Sequence, residues 1–195
     1  MCIRDSTYRW AVGGDPRFRD DFKIARPLSV FDLVDKTSKL GLEVLQICEN
    51  IDFEMGIHEY KRLREVANHK GITLELGTAG LEFPILRKNA QIAELTGSHL
   101  LRVYPEEREP VDSIIERIRS FLPALREREL TLAIENSSLC VYSSLELLEI
   151  LRGVNDPLVG ACVDTVNSVG LLERPLETVE VLSPYAVSLL SLIHI

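Results

Sequence analysis

Short apolar runs alternate with amphipathic stretches through most of the chain, on a repeat of roughly thirty residues. Leu42–Cys48, Ile72–Leu76, His99–Tyr104, Leu130–Asn136 and Leu158–Asp164 each read as a strand, and Tyr8–Gly13 and Tyr185–Leu189 read as strands at either end. Between them, residues 27–40, 58–70, 84–95, 110–128, 144–151 and 175–182 follow a helical period. Gly41, Gly71 and Gly97 stand where helices should stop. Pro84 opens a helix, and Pro123 is expected to bend or split the long one. Ser143 or Ser144 should cap the helix that contains Glu146 and Glu149. Asn155-Asp156-Pro157 forms a turn, and Thr165–Gly170 reads as loop.

Strand and helix in strict alternation imply βαβ units and a parallel sheet. Six such units and a seventh strand, without a nucleotide-binding glycine fingerprint, favour a (β/α)8 TIM barrel of the α/β class over an open doubly wound sheet. Such barrels usually need about 250 residues. At 195 residues the chain is expected to be an incomplete barrel, lacking the eighth strand. Residues 7–189 read as the single domain. The segments 1–6 and 190–195 resemble translated adapter sequence and read as non-native tails. Two unpaired strand edges would leave such a fragment poorly folded or inactive, with activity belonging to the full-length protein.

Side-chain alternation along the strands selects the candidate chemistry. In LTLAIEN, Glu135 shares a face with Thr131 and Ala133. In LVGACVD, Asp164 shares a face with Gly160 and Cys162. Two neighbouring strands therefore each end on an acid above small residues. Barrel enzymes place their sites at the carboxyl ends of strands. That rule adds Glu75, Arg102, Asn136 and Asn167. Glu75 and Arg102 read equally well as substrate contacts or as structural ion-pair partners.

The IEN of the fifth strand and the VDTVN of the sixth, with GLEVLQIC and GITLELGT before them, resemble the xylose isomerase-like TIM barrels, the sugar phosphate isomerases and epimerases. The resemblance covers residues 7–189. It implies that Glu135 and Asp164 bind a divalent metal ion, and that Glu135 also moves a proton beside a substrate carbonyl. It implies a metal or substrate contact at Asn167, while Glu75, Arg102 and Asn136 stay substrate-binding candidates from their places at strand ends. Many members carry a histidine where this chain has Asn167. Oxygen ligands suit Mg2+ or Mn2+, and a mixed carboxylate and imidazole set also admits Co2+ or Zn2+. The partner implied is a small sugar or sugar phosphate.

Composition narrows the alternatives. A net charge of −8 disfavours a large nucleic-acid footprint, and with it an endonuclease IV-like phosphodiesterase. His58, His69 and His99 sit away from the expected mouth, as surface or packing residues. No apolar run is long enough for a membrane helix, and no signal core opens the chain. Cys2, Cys48, Cys140 and Cys162 have no metal-finger spacing, which fits a reducing cytoplasm. Arg17, Arg19 and Lys23 read as a solvated loop. A carbohydrate-binding or regulatory barrel that has lost its metal is the non-catalytic alternative, favoured by Asn167. Assembly into a homo-oligomer stays open.

Overall fold

The computed structural model describes residues 4–6, 28–49, 53–137 and 141–190. The expected strand at Tyr8–Gly13, the Arg17, Arg19 and Lys23 loop, Cys2 and Cys140 lie outside the described residues. The chain divides into two compact units, residues 1–77 with 91–99 and residues 78–90 with 100–195.

The first unit carries three parallel strands. Strand β1 (Arg4–Ser6) pairs with β2 (Val44–Ile47), and β2 pairs with β3 (Thr73–Ala79). Helix α1 (Val30–Lys39) begins at Ser29, whose hydroxyl accepts the Asp32 N–H while the Asp32 carboxylate takes the Ser29 N–H. It ends before Gly41, at a φ of +69° that glycine adopts without strain. Helix α2 (Ile57–His69) buries Leu63 and Ala67 and ends before Gly71 in the same way. Lys70 reaches Asp35 at 2.9 Å, tying the end of α2 to α1. Strand β3 runs on to Ala79, beyond Leu76, where the pattern ends it.

Helix α3 (Phe83–Thr96) gives its first half to the second unit and its second half to the first. The second unit then builds β4 (Leu100–Tyr104), α4 (Val111–Glu127), β5 (Thr131–Glu135), α5 (Ser144–Val154), β6 (Val159–Asp164), α6 (Pro175–Leu182) and β7 (Ala186–Leu190). Strands β4 to β7 are parallel and lie in chain order. Leu101, Val103, Leu132, Ile134, Ala161 and Val163 point one way and are buried, as are Ile114, Ile118 and Leu125 of α4 and Leu147 and Ile150 of α5. Such a core, removed from water at about 25 cal/mol per Å2 of apolar surface, drives the packing of each helix.

Helix α4 is not split at Pro123. Its one continuous span keeps Ile114, Ile115, Ile118, Phe121, Leu122 and Leu125 on a single buried face, and Pro123 lies on the exposed side. There the ring removes one N–H donor from the helix without disturbing the buried face. The segment after β6 is not plain loop, because Asn167–Leu171 winds into a 3-10 turn. Between β6 and β7 the register slips at Ala161/Cys162, a bulge that makes Val187 the extra residue. Parallel strands alternating with helices make this an incomplete (β/α)8 barrel.

Candidate functional site

Glu135 and Asp164 close β5 and β6, and both are buried, at 5% and 2% exposure. Register sets their surroundings. Arg102 lies level with Ala133 and Gly160, two residues below Glu135, which lies level with Cys162. A methyl group at Ala133 leaves room for the Arg102 side chain to rise beside Glu135. Its Nη1 donates to Glu135 Oε2 at 2.7 Å, and the pair is almost wholly buried. The Arg102 guanidinium also lies 5.6 Å from the centre of the Tyr104 ring. An ion pair this deep offsets its desolvation only through close, well-aligned bonds.

The other Glu135 oxygen is also held. Asn167 Nδ2 donates to Glu135 Oε1 at 3.1 Å. The backbone N–H of the same Asn167 donates to Asp164 Oδ1 at 2.8 Å, alongside that of Val166. Asn136 completes the frame. Its amide nitrogen donates to the Asp164 carbonyl at 2.8 Å, and its amide oxygen accepts the Asp164 N–H at 2.7 Å.

The second unit therefore brings together Arg102, Glu135, Asn136, Asp164 and Asn167. Glu75 lies in the first unit, where Gln46 donates to its Oε2 at 3.1 Å across the β2–β3 pair. Glu75 and Gln46 are both buried. His58, His69 and His99 are exposed, and Cys48 and Cys162 are buried.

Two tyrosines are not among the residues that the sequence singles out. Tyr104 shares the Arg102 face, and alternation alone could have found it. Tyr142 is fully buried, accepts the Glu109 N–H and donates to the Glu109 carbonyl, both at 2.8 Å. That clasp joins the segment after β4 to the segment after β5, and no local pattern announces it. Arg108 lies over the Tyr142 ring, donates to the Val141 carbonyl and pairs with Glu146. The bond from Arg108, followed by those from Ser143, pushes the Glu146 carboxyl down to about 2. Arg117 holds the Glu109 carboxyl below its usual range.

Glu135 and Asp164 fit a hard divalent cation as part of its ligand set. Both are carboxylates, and among the described residues no donor meets Asp164 Oδ2. Among the described residues they do not gather a third acidic, histidine or cysteine ligand.

The fold is that of the xylose isomerase-like TIM barrels. A D-psicose 3-epimerase from Clostridium cellulolyticum H10, solved with D-tagatose, matches 98% of this chain and 73% of its own at a TM-score of 0.74 and 14% identity. The probable 3-DHS dehydratase AsbF of Bacillus anthracis matches 97% and 72% at 0.73, also at 14% identity. In sequence, the chain is 26% identical over 193 residues to the 3-oxo-isoapionate decarboxylase of Pectobacterium atrosepticum, covering 97% of this chain and 67% of that protein. No protein-family model matches. Among the described residues, no helix is long and apolar enough to cross a membrane.

Proposed function

We propose that the protein acts on a small sugar or sugar phosphate as a divalent-metal-dependent isomerase or epimerase. The observation that carries this reading is the pair of buried carboxylates, Glu135 and Asp164, ending adjacent parallel strands within one hydrogen-bonded frame. Glu135 and Asp164 would hold the metal, which when bound polarises a hydroxy-carbonyl and stabilises negative charge on its oxygens. Glu135 Oε1 takes the proton from the carbon beside the carbonyl and leaves an enediolate. Returning that proton to the neighbouring carbon, while the hydroxyl proton passes from one enediolate oxygen to the other, isomerises the sugar, and a proton from solvent reaching the opposite face of the same carbon, with the first one lost from Glu135 to solvent, epimerises it. Arg102 keeps Glu135 in place, and Asn136 keeps Asp164 in place.

A second reading has its own support. Asn167 carries an amide, which cannot exchange a proton as a histidine does. Decarboxylation of a 3-oxo sugar acid needs no base to begin. The bond to the carboxyl carbon breaks, its electron pair moves toward the ketone oxygen, carbon dioxide leaves, and the enolate carbon takes up one proton. The relative named as a 3-oxo-isoapionate decarboxylase favours this chemistry.

Calorimetric titration with Mn2+, for wild type and Glu135→Ala, is the first test. Binding lost in the variant supports the metal site, and no binding by the wild type rejects it. Proton NMR in D2O then separates the reactions on ketoses, ketose phosphates and 3-oxo sugar acids. Deuterium entering a recovered or isomerised ketose supports the first reading. Carbon dioxide release confined to oxo acids supports the second.

A further inference from the structure

We infer that Asn167 is a positioning residue that yokes Glu135 to Asp164, fixing how the two acids present themselves to a shared cation. The inference rests on the metal-binding reading above and adds to it the residue that sets the geometry. Asn167 touches both acids by different groups, its side-chain amide on Glu135 Oε1 and its own backbone N–H on Asp164 Oδ1. These contacts, at 3.1 and 2.8 Å, end on carboxylates that are themselves buried, where a hydrogen bond constrains a carboxylate more than it does in water. Two like charges at the ends of neighbouring strands repel each other, and free carboxylates would swing apart. Each acid is also restrained from its far side, Glu135 by Arg102 and the Asp164 backbone by Asn136. Only Asn167, among these partners, joins one acid to the other. The 3-10 turn that begins at Asn167 aims both of its donors back toward the strand ends.

Replacing Asn167 by alanine deletes the bond to Glu135 and spares the backbone bond to Asp164. Groups that orient metal ligands from behind typically account for about 10–100-fold in metal affinity. Titration of wild type, Asn167→Ala and Asn167→Gln with Mn2+ alone, followed by calorimetry and by the Mn2+ electron paramagnetic resonance spectrum, tests this. The expected result is a loss of about 10–100-fold in Asn167→Ala with one site retained and an altered spectrum. Asn167→Gln, which keeps a primary amide, should recover most of the loss, and the metal-free melting temperature should barely move. Wild-type binding with unchanged affinity and spectrum in Asn167→Ala overturns the yoke and leaves the metal-binding reading standing. No binding by the wild type overturns both.

Discussion

Arg102 and Glu135 illustrate how much rests on single side chains. Removing one member of a buried pair strands the other charge in a poorly solvated site, at a cost of about 3–5 kcal/mol. Arg102→Met should therefore lower the urea unfolding free energy by about that amount. The double variant Arg102→Met/Glu135→Leu should regain most of it, because no lone charge remains. A cost in Arg102→Met no larger than that of an ordinary surface substitution would contradict the structure. Both acids were legible from alternation, since each falls on the face of small residues at a strand end. Arg102, Asn136 and Asn167 were legible as candidates, but how they reach the acids was not. Arg102 and Glu135 are separated by 33 positions, and only strand register shows that Ala133 leaves the space between them. Asn167 was legible as a departure from a histidine, but its double contact depends on a turn that reads as plain loop.

Strand β6 is constrained by its neighbour more tightly than its sequence shows. A Cβ built on Gly160 would lie 2.5 Å from a methyl of Val187 and 2.7 Å from the Tyr185 carbonyl oxygen. The bulge places Val187 against that position, so β6 needs a glycine there. Gly160→Ala should cost about 1–3 kcal/mol in thermal or urea unfolding. Adding Val187→Ala should restore only part, because the carbonyl stays. Full tolerance of Gly160→Ala would show that β7 does not bulge as described. Helix ends were easier to read. Ser143 caps α5 with Glu146 returning the bond, and Ser143→Ala should cost about 1 kcal/mol. That Pro123 would leave α4 unsplit was harder to read, because pattern alone does not reveal that it falls on the exposed side of the helix.

At the level of the whole molecule, the order of strands and helices was readable because each βα unit writes its own period into the sequence. Contacts between loops were not, since residues about thirty positions apart meet only after the strands have paired. The Arg108–Glu146 pair makes such a contact testable by pH. The Glu146 carboxyl falls from an ordinary 4.5 to about 2 in the folded chain. A depressed carboxylate favours the folded state above its unfolded value, and the benefit is lost as pH falls from 4.5 toward 2. Melting temperature should thus decline over that window more steeply in wild type than in Glu146→Gln. Salt should shrink the difference, because Arg108 is exposed. Parallel curves for the two proteins would remove Glu146 from the acid response.

Asn136 has one more consequence. Its side-chain amide imitates a peptide group and gives Asp164 the two bonds a longer β5 would have given. The main chain is thus free to leave the sheet one residue earlier, while Asp164 keeps its anchor. The anchor of the acid is thereby separated from the length of β5, so any change that keeps the Asn136 amide keeps Asp164 in place whether or not the strand continues.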